Sequence, residues 1–327
     1  MTKVQSTDYA TRLSCEEARS ALITKSEEIR SFESVPVRSS LNRILHEDMS
    51  CPMDVPNHTN SAMDGYAINL SETTESDNIL YALAGSAFAG RPYTGSVKKN
   101  TAIKIMTGAA MPEGTDTVVI LEDAKEENNQ VSFSGGLKKG QNVRLAGEDL
   151  KMGQIFLKAG RRLTPSDIGL IASVGISEVK VRRRVKVAFF STGDELRSLG
   201  EPLEAGEIYD SNRYTLYGLL KTLGVEIHDL GVVRDDPEEL RRTLLSASKS
   251  NDAIITSGGV SVGEADHIKS VLKSIGEINF WKILMKPGRP LAFGKIGDAG
   301  FFGLPGNPVS VMITFMQFVQ PALSKMA

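Results

Sequence analysis

From Val185 onward, short apolar runs alternate with helix-length segments, and this constrains the fold more than anything else in the chain. VKVAFF, VEIHDLGVV and AIIT read as strands. Helices are expected over Asn212–Leu223, which ends at Gly224, from Asp236-Pro237 onward, and over Glu264–Ile275. Strands near 278–285, 291–296 and 301–304 follow, then a long apolar helix from Pro308. Strands that alternate with helices imply a mostly parallel sheet with right-handed crossovers. Ligands then bind outside the carboxyl ends of the strands. The loops falling there are STGDEL, TSGGVSVGEADH, KILMKPGRP and LPGNPVS. They supply carboxylates, lysines and bare backbone amides, which suit a phosphate-bearing ligand and a cation.

The remainder reads as two further parts. Residues 1–12 are polar and expected to be loose. Ser14-Cys15-Glu16-Glu17 is a capping-box pattern opening a helix to about Arg30. Val35-Pro36-Val37 is extended, and a short helix is expected through Leu41, Ile44 and Leu45. Between about 55 and 145, β-rich pieces such as TAIKIMTG and DTVVILED alternate with glycine turns. Thr164-Pro165 starts another helix, with Thr as cap and Pro in the first turn. The expected fold class is multidomain α/β plus β. Residues 1–54 and 146–180 form a discontinuous helical linker domain, 55–145 an inserted β domain, and 181–327 a three-layer α/β domain.

At 327 residues the chain is too long for a single ordinary core. Lys plus Arg number 38 and Asp plus Glu 40, so the electrostatic footprint of nucleic-acid binding is missing. No charged-then-apolar leader and no apolar run of about 18 residues appears, so a cytoplasmic protein without membrane insertion is expected. Cys15 and Cys51 are far apart and match no metal spacing, and the four histidines do not cluster.

Each loop has a functional and a structural reading. Ser257-Gly258-Gly259 can cradle a phosphate with successive N–H groups or simply make a turn. Gly263-Glu264-Ala265-Asp266 beside it adds carboxylates suited to Mg²⁺. In Thr192-Gly193-Asp194-Glu195, an acid can serve a ligand, a metal or a helix cap. Asp236 reads as a cap, which leaves Asp235 as the functional candidate. Lys282, Lys286 and Arg289 either aim at one anion or protect a solvated edge strand. Leu304-Pro305-Gly306-Asn307-Pro308 is a rigid start to a helix. Asp64, Thr107, Arg144 and Asp149 sit on turns earlier in the chain.

Taken in order, NSAMDGYA, TGAAMPEGTDTVV, GEDL, FSTGDEL, IYDSN, RDDP, TSGGVSVGEADH, KPGRPLAFG and LPGNPVS closely resemble the MoeA family, the molybdopterin molybdenumtransferases related to the E domain of gephyrin. The resemblance runs from about residue 10 to the end. It implies insertion of molybdenum from molybdate into adenylylated molybdopterin, with Mg²⁺-dependent release of AMP. It also implies a homodimer, with molybdopterin adenylyltransferase and apo-molybdoenzymes or their chaperones as partners. On its motifs, Asp64, Thr107, Asp149, Glu195, Asp235, Asp266, Lys282 and Lys286 are the expected catalytic residues. Glu195, Asp235 and Asp266 are the expected metal ligands. Arg144, Thr192, Gly193, Ser257, Gly258, Gly259, Arg289, Pro305, Gly306, Asn307 and Pro308 are expected to bind substrate. Family members carry a further small β domain beyond the LPGNP helix, and this chain stops at Ala327. The alternative is therefore a non-catalytic module that holds the pterin nucleotide or acts as a scaffold.

Overall fold

A computed structural model of the chain describes residues 12–72, 80–133, 136–259 and 267–327. It divides into two compact units, one of residues up to Glu33 with Arg182–Ala327, the other of Ser34–Val181.

Among the described residues, the strands of the first unit's main sheet are β1 (Arg12–Leu13), β2 (Lys186–Thr192), β3 (Glu226–Val233), β4 (Ala253–Ser257), β5 (Glu277–Ile283), β6 (Pro290–Ile296) and β7 (Ala299–Leu304). Its helices are α1 (Cys15–Lys25), α2 (Ser211–Leu223), α3 (Pro237–Ser250), α4 (His267–Ile275), α5 (Pro308–Thr314) and α6 (Gln320–Met326). The sheet order is β1-β5-β6-β7-β4-β2-β3. β6 runs antiparallel to both neighbours, and every other pairing is parallel.

Alternation along the strands sends successive side chains to opposite faces. In β2, Val187 and Phe189 join α1, α2, α5 and α6 in one core, while Ala188 and Phe190 join α3 and α4 in the other. Ile255 and Phe302 follow the first pattern, and Ile254 and Phe301 the second. This gives three layers, with the sheet buried on both sides.

Four local details follow from residue chemistry. The Asp236 carboxylate accepts the Glu239 N–H at 2.8 Å and caps α3. Gly224 takes φ 70° at the end of α2. α1 stops at Lys25, short of the expected Arg30, because Ser26 leaves helical geometry while its hydroxyl bonds the Leu22 carbonyl. The long C-terminal helix contains a π turn over Phe315–Val319 just before Pro321, whose ring nitrogen has no N–H to continue an α-helical ladder.

The expected partition changes at the N-terminus. Ala18 and Leu22 of α1 are fully buried in one core with Leu323 and Met326, and the Ile29 N–H donates to the Met326 carbonyl at 2.8 Å. Residues 12–33 therefore belong to the α/β unit, not to a linker domain shared with 146–180.

Among the described residues, the second unit holds a six-stranded sheet in the order Thr117–Ile120, Gly65–Ile68, Thr101–Ile105, Leu80–Ala87, Gln130–Phe133, Ala124–Glu127. A separate core of Val37, Leu45, Leu157, Leu163, Ile171, Val179 and Val181 surrounds the helix Pro165–Ser173. No helix forms through Leu41–Leu45. Asn42 adopts φ 63°, which a right-handed helix cannot contain, and Ile44 and Leu45 make isolated bridges to Arg162 and Val181. Thr164 and Asp167 form a reciprocal cap at the start of the 165–173 helix. Thr164→Ala is expected to cost about 1 kcal/mol, seen as a lower thermal midpoint for this unit with an unchanged fold by circular dichroism.

Candidate functional site

The carboxyl ends of β2, β3, β4 and β7 carry the loops with Thr192-Gly193, Asp235, Ser257-Gly258-Gly259 and Pro305–Pro308 to one edge of the sheet. α2 follows β2 onto one face, and α4 follows β4 onto the other. The crevice at the carboxyl ends of β2 and β4 is thus a topological switch point, where ligands of open α/β sheets bind.

The loops around this crevice interlock through the backbone. Gly258 takes φ 91°, and a Cβ there would lie 2.5 Å from the Thr192 carbonyl oxygen. Its N–H donates to the Leu304 carbonyl at 3.1 Å. Asn212 Nδ2 donates to the Gly306 carbonyl at 2.7 Å, which ties α2 to the Pro305–Pro308 turn. Asp210, only 2% exposed, accepts the Ser191 hydroxyl at 3.0 Å and the Arg213 N–H at 3.1 Å through one oxygen.

Thr192 Oγ1, Asp210 Oδ2, Asn212 Oδ1 and Asp235 Oδ1 are all buried without a hydrogen-bond partner among the described residues. Leaving a buried polar atom unpaired costs about 1–3 kcal/mol. Such atoms in native proteins call for an explanation, and their concentration at this edge points to a ligand rich in donors or cationic. Neither Asp210 nor Asn212 is among the residues expected from sequence to act in the site. The available signal was IYDSN itself, an Asp and an Asn around a helix start at the same sheet edge.

The expected metal ligands are only partly brought together. Asp235 keeps a bare buried oxygen suited to a hard cation. Glu195 is exposed, and its carboxylate folds against Gly193, where a Cβ would sit 2.6 Å from Glu195 Oε2. Asp266 lies outside the described residues. Among the described residues no group of three or more His, Cys, Asp or Glu converges as a preformed cage.

Lys282, Lys286 and Arg289 line one open cavity of about 850 Å³ with Arg12. The two lysines do not share a strand face as their spacing suggests, because β5 ends at Ile283 and Lys286 lies in the following turn. Ser257 is buried, while Gly306, Asn307 and Pro308 are exposed beside buried Pro305. Asn307 caps α5 by accepting the Ser310 N–H at 3.2 Å.

The other expected residues gather within the second unit. Asp64 Oδ1 accepts both the Thr107 N–H at 2.7 Å and its hydroxyl at 2.6 Å. The Thr107 side-chain and backbone bonds hold the Asp64 carboxyl below its usual pKa. Asn60–Ser61 pairs with Val143–Arg144, and the Gly108 N–H donates to the Ser61 carbonyl at 2.8 Å. Arg144 donates to Glu148 at 2.6 Å and to Asp149 at 2.7 Å. These bonds, Glu148 first, raise the guanidinium pKa further. Asp64, Thr107, Arg144 and Asp149 thus belong to one connected group of turns.

Family models match across both units: the MoeA N-terminal region (domain I and II) over residues 13–175, and a probable molybdopterin binding domain over 188–325. The chain is 46% identical to a molybdopterin molybdenumtransferase of Haemophilus influenzae, covering 96% of this chain and 78% of the relative. The chain belongs to the molybdopterin molybdenumtransferase family. A Nostoc molybdopterin molybdenumtransferase is 37% identical over 93% of this chain and 72% of its own length. Dictyostelium discoideum gephyrin is 35% identical over 90% of this chain and 47% of its own length. The solved molybdopterin biosynthesis MoeA protein of Pyrococcus horikoshii superposes with a TM-score of 0.83 at 31% identity, covering 97% of this chain and 79% of that one. Curated relatives in this family are named as transferases, which places the chain among enzymes of molybdenum cofactor biosynthesis. No helix among the described residues is long and apolar enough to cross a membrane.

Proposed function

We propose that the chain transfers molybdenum from molybdate into adenylylated molybdopterin, with Mg²⁺-dependent release of AMP, as a cytoplasmic homodimer. The observation that carries the reading is the switch-point edge, where bare buried oxygens, a glycine-lined backbone and a basic cavity share one sheet end. In this reading the N–H groups of Gly193, Gly259, Gly306 and Asn307 hold the nucleotide and pterin phosphates, while Thr192, Ser257, Gly258, Pro305 and Pro308 shape the turns that present them. Lys282, Lys286 and Arg289 attract molybdate and stabilise the charge that develops as the pyrophosphate link breaks. Asp235, with Glu195 and Asp266, would hold Mg²⁺, which when bound offsets phosphate charge. Asp64, Thr107, Arg144 and Asp149 organise the dimer or reach the partner subunit's cleft.

The test mixes purified chain, adenylylated molybdopterin, Mg²⁺ and molybdate, then follows AMP release and protein-bound molybdenum. Appearance of both in step is the expected result. Substrate binding without AMP release would overturn it in favour of a binding or scaffold module. Asp235→Asn is expected to slow AMP release at least about a hundredfold with an unchanged melting profile. Normal release by that variant would remove Asp235 from the mechanism.

A further inference from the structure

The basic cavity beyond β5 takes one of its cations from a strand of two residues. β1 pairs in parallel with β5, placing Arg12 opposite Lys282 and Leu13 opposite Ile283. The Leu284 N–H extends the pairing by donating to the Leu13 carbonyl at 2.8 Å. Register then fixes direction. Ile283 is buried in the core beneath α1 and α5, and Leu13 packs against that core. Arg12 and Lys282 therefore project from the opposite face, side by side.

Like charges directly opposite on neighbouring strands oppose pairing. The loop from β5 to β6 adds Lys286 and Arg289 to the same cavity. A cation on an edge strand can serve merely to block edge-to-edge aggregation. That role accounts for one charge facing solvent. It does not account for four cations from two strands and a turn meeting around one volume.

We infer that Arg12 is a further anion-binding residue, completing a four-cation cradle for a doubly charged tetrahedral oxyanion. This rests on the transferase reading for the identity of that anion as molybdate. The pyrophosphate link of the second substrate, two tetrahedral phosphoryl groups with one negative charge each, is the other source. Arg12 contributes what the lysines lack, a planar fork that bonds two oxygens of one anion at once. Its part is to hold and select the anion, so it acts on binding more than on the rate of the bound complex.

The test is calorimetric titration of the full chain with molybdate alone, and separately with inorganic phosphate, at low ionic strength. Wild type is expected to bind molybdate, and R12Q about tenfold more weakly. R12K, which keeps the charge and loses the fork, is expected to fall between them. R289Q serves as a second variant within the same cradle and is expected to weaken binding likewise. In turnover, R12Q should raise KM for molybdate with kcat unchanged. Tighter binding of molybdate than phosphate assigns the cradle to the metal oxyanion, and the reverse assigns it to the phosphate group. Equal binding of both anions by R12Q and wild type, or binding of neither by wild type, overturns the inference. Arg12-dependent binding in a chain that releases no AMP would sink the transferase reading and leave the cradle standing. An active transferase with Arg12-independent binding would do the opposite.

Discussion

Asp252→Ala is expected to destabilise the α/β unit by about 3 kcal/mol. Asp252 accepts two bonds from the Arg183 guanidinium, at 2.6 and 2.7 Å, and a third from the Lys186 N–H at 2.7 Å. Its side chain is 19% exposed and that of Arg183 31%, so removing it takes two bonds from a partly buried guanidinium and leaves a strand-initiating N–H without its acceptor. Burial pushes this carboxyl up, but the bonds from Arg183 and Lys186 and their charges outweigh it and leave the pKa below its usual value. A depressed folded pKa adds stability above the unfolded carboxylate value, about 3.9, and that stability fades as pH falls through the lower folded pKa. The gap in melting temperature between wild type and the variant should therefore be full near neutrality and shrink on acidification below about pH 4. A constant gap across that range would show that the carboxylate's ionisation contributes nothing.

Gly258→Ala is expected to lower AMP release at least about a hundredfold, since displacing reacting groups by roughly 1 Å can cost that much. The backbone there holds φ 91°, and the added methyl would meet the Thr192 carbonyl oxygen at 2.5 Å. Neither the β2 nor the β4 end can yield without shifting, because the Gly258 N–H is also bonded to Leu304. The strain itself costs about 1–3 kcal/mol, so melting should fall modestly while activity falls steeply. Gly306→Ala is the control. A Cβ at Gly306 would stand 3.9 Å from Gly258 Cα, an ordinary contact, and this variant should keep most of its activity. Equal losses in the two variants would contradict the proposed interlock.

The α/β unit was legible because its signals are local. Asp236-Pro237 and Gly224 punctuate the helices as read, and the apolar runs at 185–190 and 253–256 become central strands. The candidate loops were legible for the same reason, each following such a run. What stayed hidden depends on partners distant in sequence. The pattern of α1 shows an apolar face without naming the core that receives it, and it docks beside α6. Arg12 sits at the end of a segment expected to be loose, and only the register of β1 on β5 gives it a place among the lysines. The apolar spacing of Leu41, Ile44 and Leu45 suggested a helix, but a single positive φ at Asn42 prevents it. For Asp210 and Asn212 the IYDSN motif marks the place but not the orphaned oxygens, since what singles those out is burial without a partner among the described residues.

The Arg183–Asp252 clasp joins the amino ends of β2 and β4, whereas the ligand loops leave their carboxyl ends. The residues that keep the scaffold folded are thus separated from those that choose what it holds. Substitutions at distant, unshared positions tend to add independently. Drift at positions such as Glu195 or Arg289, both exposed, can therefore re-specify the ligand without lowering the stability set at the other edge. A lineage built on this sheet has room to acquire new chemistry one loop at a time.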